Sequence, residues 1–239
     1  MSVLRALNLA KSYKSRTILK DISLEVESGE VVGLLGPNGA GKTTAFYMIV
    51  GLTRCEHGEI FLDNKDIGRL PMHRRAQLGL GYLPQEPSVF RRMSVSNNIM
   101  SILETRPGLD EAKRRARLTE LMDELHIGHV RESLGMSLSG GERRRVEIAR
   151  ALAADPRFIL LDEPFAGVSP ANRGRLADLL RRLCDPGGIT VIMVEHRLEW
   201  VERLCSRVLV MAEGQIIKDG SMESIRSDPR VLEAYLGNA

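Results

Sequence analysis

Apolar and polar residues alternate through the first 30 positions, with turn residues at Asp21 and at Ser28-Gly29. This pattern predicts short antiparallel strands. Val31–Leu35 is then a β-branched and aliphatic run that ends in a Gly-rich turn, and Thr44–Val50 has helical character. The order is strand, loop, helix. Hairpin-like segments continue to about Asp66. Beyond about Glu86 the pattern becomes helical over 94–105 and 110–126, with a charged face through Glu111–Arg117, and again over 139–154. Phe158–Leu161 and Ile189–Val194 are continuous apolar runs, as expected for parallel strands covered on both faces. Val208–Met211 and Gln215–Ile217 flank Glu213-Gly214, a hairpin signal. A short helix over Pro229–Leu236 closes the pattern.

Composition narrows the class. The chain has 239 residues, 43% hydrophobic and 27% charged, as in an ordinary globular protein, and only 4% aromatic, so its core is aliphatic. The net charge of +3 is too small to indicate nucleic acid, and none is expected as a partner. Cys55, Cys184 and Cys205 are scattered without metal-type spacing and read as free thiols. The first residues turn polar almost at once, so no signal peptide is expected. No apolar stretch reaches the ~20 residues that span a bilayer, so direct membrane insertion is not expected.

Gly36-Pro37-Asn38-Gly39-Ala40-Gly41-Lys42-Thr43 matches the phosphate-loop pattern G-x-x-x-x-G-K-[ST] in full. Its glycines let successive N–H groups point inward at phosphate oxygens. In that motif Lys42 reaches the β- and γ-phosphates, the Thr43 hydroxyl binds Mg²⁺, and the following helix directs its positive end at the anion. The context is right: an apolar strand precedes the loop and a helix follows it.

The strand Phe158–Leu161 ends in Asp162-Glu163. Adjacent strand residues point to opposite sides, so the two carboxylates are expected to divide the work. Asp162 would hold Mg²⁺ and Glu163 would act as general base on the attacking water. His196 follows another strand and could reach the γ-phosphate from the same sheet edge. Ser139-Gly140-Gly141-Glu142 has capping-box spacing, but two glycines in a first helical turn are costly. A Gly-lined helix start is also an anion site, here a second one in one chain.

These residues carry a resemblance. The phosphate loop (36–43), Gln85, Leu138–Glu142, the strand with its two acids (158–163) and His196 stand in the order and spacing of ABC ATPase subunits. The chain is similar to that family over essentially its whole length, and generic P-loop enzymes lack the Leu-Ser-Gly-Gly-Glu signature. The resemblance implies an α/β fold. Residues 1–85 and 156–239 would form a RecA-like P-loop NTPase core with an N-terminal antiparallel β subdomain, and 86–155 an inserted α-helical signature subdomain. It implies ATP and Mg²⁺ as cofactors and a head-to-tail homodimer. In that dimer Ser139, Gly140, Gly141 and Glu142 of one chain close over ATP on the other's phosphate loop. Tyr13 would stack on adenine, Thr44 would join the nucleotide site, and Gln85 would touch Mg²⁺ or the lytic water and sense a transmembrane partner. Permease subunits are the implied partners, on the cytoplasmic face of the inner membrane, with Phe90 and Arg91 in the docking groove.

Within the family, Gly81–Glu86, Ser88–Val95, Ser139–Arg150 and Asp162–Gly167 resemble the ATPases of lipopolysaccharide export. Val194–Leu198, the neutral Ser169 where most relatives carry an acid, and the ending Ala234–Gly237 resemble branched-chain amino-acid importer ATPases. A soluble, non-transport ABC ATPase of the iron–sulfur assembly type is the alternative from a different class. Arg143–Arg145 reads as a charged helix face, and Phe90 alternatively as a core aromatic.

Overall fold

The computed structural model describes residues 2–184 and 188–236. Gly237, the last residue of the importer-like ending, lies outside them. The first hairpin pairs β1 (Val3–Tyr13) with β2 (Arg16–Glu27), antiparallel. Its turn falls at Lys14-Ser15, with Lys14 at φ 54°, and not at Asp21. Asp21 instead lies inside β2 and pairs with Gln215. Register shifts along β1 disturb the strict alternation, which is why a polar residue in mid-strand resembled a turn. Ser28-Gly29 is a turn as expected, with Gly29 at φ 91°.

β3 (Val31–Leu35) leads through the phosphate loop into α1 (Lys42–Val50). β4 (His57–Leu62) and β5 (Lys65–Asp66) extend the antiparallel layer. α2 (Met72–Gln77) and β6 (Leu80–Leu83) follow, neither of which the sequence pattern had indicated. α3 (Val95–Leu103), α4 (Glu111–Glu124) and α5 (Gly140–Ala153) match the helical periodicity. Each starts on a side-chain cap, from Ser94, Asp110 and Ser139. Then come β7 (Phe158–Asp162), α6 (Pro170–Cys184), β8 (Thr190–Val194), α7 (Leu198–Leu204), the hairpin of β9 (Arg207–Ala212) and β10 (Gln215–Gly220), α8 (Met222–Arg226) and α9 (Pro229–Leu236).

Among the described residues the ten strands make one mixed sheet, in the order β5-β4-β1-β2-β10-β9-β3-β8-β7-β6. The stretch from β9 through β3, β8 and β7 to β6 is parallel. The apolar runs of β7 and β8 are explained by their two faces. Leu160 and Ile192 pack with Phe46 and Ile49 of α1 and the core of the antiparallel layer. Leu161 and Met193 pack with Ile99, Val146, Leu176 and Val201 of the helices opposite. Each face removes its aliphatic side chains from water, at roughly 25 cal/mol per Å² of apolar surface.

Register aligns the functional ends. Val194 pairs with both Leu34 and Asp162, so β3, β7 and β8 end at one level. The phosphate loop, Asp162-Glu163 and Glu195-His196 therefore leave the same carboxyl edge, where open α/β sheets bind ligands.

Candidate functional site

The phosphate loop wraps tightly. Gly36 takes φ 150°, and a β-carbon there would collide with the Met211 carbonyl of β9. Gly41, the N-cap of α1, takes φ 101° and offers no side-chain cap, so the first N–H groups of α1 have no side chain to satisfy them. The loop is tied to the β9–β10 hairpin by Gly214 N–H donating to the Ala40 carbonyl (3.2 Å). Lys42 Nζ donates to the carbonyls of Gly36 (2.7 Å) and Pro37 (3.0 Å). Burial lowers the pKa of this ammonium, and the charges of Glu163 and Asp162 partly offset that.

An open cavity of about 450 Å³ collects most of the expected nucleotide residues: Tyr13, Asn38, Gly39, Gly41, Lys42, Thr43, Thr44, Glu163 and His196. Arg16 and Ile18 also line it, and nothing in the sequence pattern marked either. Tyr13 is 50% exposed at the end of the first hairpin, with Lys11 Nζ 5.2 Å from its ring centroid. Gly36, Pro37 and Ala40 belong to the same loop.

Glu163 is the junction of the catalytic candidates. Gln85 Nε2 donates to its Oε2 at 2.8 Å, and His196 Nε2 lies 2.9 Å from its Oε1. The Glu163 backbone sits at φ 45°, in the left-handed region that costs a non-glycine residue about 1 kcal/mol or more. The two acids are thus separated by a kink at the end of β7 and not by strand alternation, which corrects the sequence-based reason. Asp162 is 2% exposed. Burial raises its pKa, the neighbouring Glu163 charge adds to this, and a hydrogen bond from the Tyr82 hydroxyl opposes it.

Ser139 lies outside the cavity. Its backbone N–H (2.9 Å) and hydroxyl (2.6 Å) both donate to Glu142 Oε2, and Glu142 N–H returns to Ser139 Oγ (3.4 Å). The expected capping box is complete, and His129 Nε2 lies 3.1 Å from the other Glu142 oxygen. The two signature glycines have in-chain reasons as well. A β-carbon on Gly140 would collide with the Gly167 carbonyl, and one on Gly141 would lie 3.3 Å from Asn172 Nδ2.

Arg144 corrects the reading of 143–145 as a charged face. It is 3% exposed, and its guanidinium donates to the carbonyls of Pro84 (2.8 Å), Asp162 (3.1 Å), Glu163 (3.2 Å) and Pro164 (3.0 Å). It also pairs with buried Glu147 at 3.0 Å. One side chain of α5 therefore joins the segment of Gln85 to the end of β7. Three consecutive arginines gave no period to reveal this. The i,i+3 placement of Arg144 and Glu147 beside Val146, Ile148 and Ala149 was the available signal. Phe90 is not a core aromatic: it is 47% exposed and carries the Arg150 guanidinium 4.5 Å from its ring centroid.

A phosphate loop on a parallel sheet, two acids at the end of the second strand over from it, and a second Gly-lined helix start define an ATP-binding cassette. The ABC transporter family model matches residues 19–166, and the chain belongs to that family. A second model, of the branched-chain amino acid ATP-binding cassette transporter, matches residues 215–239. The chain is 53% identical over 237 residues to the lipopolysaccharide export system ATP-binding protein LptB of Haemophilus influenzae, covering 99% of this chain and 98% of the relative. It is 52% identical, with the same coverage, to LptB of Escherichia coli. Among solved structures it resembles the ADP conformation of an ATP-binding cassette of an ABC transporter (TM-score 0.86, 31% identity, 99% of each chain). It also resembles the dimeric post-hydrolysis state of a cassette bound to ADP and Pi (TM-score 0.82, 25% identity, 92% of this chain and 98% of that one). The protein is an ATPase with the α/β P-loop NTPase fold. Cassettes of this family bind ATP and act as dimers with transmembrane partners. No described helix is long and apolar enough to cross a membrane.

Proposed function

We propose that the chain energises lipopolysaccharide export, as a head-to-tail homodimer on the cytoplasmic face of the inner membrane. The observation that carries this is 52–53% identity, along nearly its full length, to proteins named for that system. In this reading Glu163 is the general base: one carboxylate oxygen is oriented by Gln85, and the other faces His196, which takes the γ-phosphate side. The backbone N–H groups of the phosphate loop and Lys42 hold the phosphates, and Tyr13 stacks on adenine. The partner's Ser139, Gly140, Gly141 and Glu142 complete each site.

The residues also fit Mg²⁺. Asp162 is a buried carboxylate whose ionisation its surroundings disfavour, so a cation beside it would be welcome, and the Thr43 hydroxyl lines the adjoining cavity. No cluster of three His, Cys, Asp or Glu that could hold a metal occurs among the described residues. An ion here would be held jointly by protein oxygens and the nucleotide phosphates. The ion would supply charge neutralisation at the phosphates, with Thr43, Asp162 and Gln85 as its protein contacts.

Phe90 and Arg91 face the permeases. Supporting this, an exposed aromatic ring is held beside Arg150 close to the Gln85 segment. The second reading, a branched-chain amino-acid importer ATPase, is favoured by the match of the C-terminal segment. Native pull-down of the tagged chain from membranes separates the two. Recovery of lipopolysaccharide-export permeases is expected, and recovery of amino-acid importer permeases overturns the choice. The composite site has its own test. Ser139→Arg and Lys42→Ala chains, each inactive alone, should regain activity when mixed, because one site of the heterodimer keeps both intact halves. A mixture with no activity refutes the composite site.

A further inference from the structure

The turn that follows Glu163 is held firmly. Ala166 N–H donates to the Glu163 carbonyl (3.0 Å), Val168 N–H to the Phe165 carbonyl (3.3 Å), and Arg173 Nε to the Val168 carbonyl (2.9 Å). Phe165 is buried and stacks on Trp200, with ring centroids 4.8 Å apart. Residues 164–172 are thus tied to Glu163 and to α7 by a continuous set of hydrogen bonds and one ring stack.

This turn meets the start of α5 at two points. At the first, the Gly167 carbonyl lies against Gly140, backbone on backbone. At the second, the half-buried Asn172 amide lies over Gly141, with Nδ2 3.3 Å from where a β-carbon would stand. The same Nδ2 donates to Ser169 Oγ at 3.1 Å, and Asn172 N–H donates to the Ser169 carbonyl at 2.9 Å. A single amide is thus anchored to the turn and stands over Gly141 at the start of the signature helix. The backbone contact is fixed by glycine, whereas the second contact depends wholly on the chemistry of residues 169 and 172.

We propose that Asn172 is a positioning residue for ATP hydrolysis. Tethered by Ser169, it sets where the turn after Glu163 places the Gly141 end of α5. The state of one chain's base then bears on the signature that this chain offers to its partner's nucleotide. Ser169 and Asn172 act as one matched pair: the hydroxyl holds the amide and the amide holds the helix. Another hydrogen-bond acceptor at 169 serves equally, and an apolar residue at either position breaks the link. This rests on the composite-site reading above.

The test uses the full chain, measuring kcat, KM for ATP and Tm in Asn172→Ala, Ser169→Ala, the double variant and Ser169→Asp. Loss of one positioning hydrogen bond is expected to lower kcat by about fivefold in Asn172→Ala and in Ser169→Ala. KM and Tm should stay close to those of the parent chain. The double variant should be no worse than either single one, since each breaks the same link. Ser169→Asp should keep parental kcat, because a carboxylate accepts from the same amide. The inference is overturned by parental kcat in Asn172→Ala, by losses that multiply in the double variant, by loss of kcat in Ser169→Asp, or by a kcat loss that tracks a fall in Tm. Ser139→Arg distinguishes the layers. If it hydrolyses ATP normally, the composite site itself fails. If it is inactive while Asn172→Ala is normal, only the role of Asn172 fails.

Discussion

Gln85 and Glu163 are 78 residues apart in sequence and joined by a 2.8 Å hydrogen bond from amide to carboxylate. With His196 on the other oxygen, both carboxylate oxygens of Glu163 are held by neighbouring side chains. A carboxylate held in this way accepts a proton from an adjacent water with little reorganisation.

Replacing Glu163 by Gln keeps the size and removes the basicity. ATP affinity, measured by equilibrium titration, should stay within about threefold. kcat should fall by at least about 100-fold, the usual loss for an acid–base group. Turnover at the parental rate refutes the role of Glu163.

Glu195 sets a pH dependence of stability. It is 5% exposed; its Oε1 accepts from the backbone N–H groups of His196 (3.0 Å) and Arg197 (3.2 Å), while its buried Oε2 has no hydrogen-bond partner. Burial raises its pKa, although those backbone bonds pull it down. Because the folded-state value lies above the ordinary one, the stability linked to its proton is present at low pH. That stability is lost as pH rises through the raised value. Glu195→Gln, a neutral isostere, should therefore raise Tm by about 3 °C near neutral pH. The gain should vanish towards about pH 4, where the parent chain is protonated as well. A gain independent of pH in thermal melts contradicts this assignment.

Gly140→Ala places a methyl group on the Gly167 carbonyl. Either the signature helix or the turn after Glu163 must shift. Overpacking of this kind costs about 1–3 kcal/mol. Denaturant unfolding should show that loss, and ATP turnover should fall further than stability alone explains. Gly141→Ala meets only the Asn172 amide and should be milder on both counts.

Arg144→Leu removes a buried guanidinium and strands the Glu147 carboxylate, which is likewise 3% exposed. The Ser88 N–H bond (2.8 Å) remains its support. Leaving a buried charge unpaired costs about 3 kcal/mol or more. Arg144→Leu combined with Glu147→Leu should recover part of that loss in urea unfolding. Equal stability of the single and double variants shows that Glu147 is not the stranded group.

Local signals were legible wherever one residue's neighbours in sequence are also its neighbours in space. The phosphate loop, the capping box at Ser139-Glu142 and the apolar strands 158–162 and 190–194 are of that kind. What escaped depends on distant contacts. α6 carries four arginines among its fifteen residues, and its buried Leu176, Ala177, Leu179 and Leu180 are interrupted by charges. α2 and β6 are six and four residues long, too short to show a period. Arg144 resembled its two neighbours because nothing local distinguishes a guanidinium in water from one that collects four backbone carbonyls. The kink at Glu163 is invisible in sequence, since a left-handed backbone at a non-glycine residue is imposed by its surroundings.

The Lys42 ammonium, resting on the carbonyls of Gly36 and Pro37, has a thermodynamic meaning. In the proposed nucleotide site, a triphosphate would compete with these two carbonyl oxygens for the same N–H donors. On the proposed reading, nucleotide entry at this lysine would be an exchange of hydrogen bonds. The gain comes from replacing neutral acceptors by charged ones, each such bond about twice as strong. How tightly those two carbonyls compete would then set the affinity of the loop for phosphate.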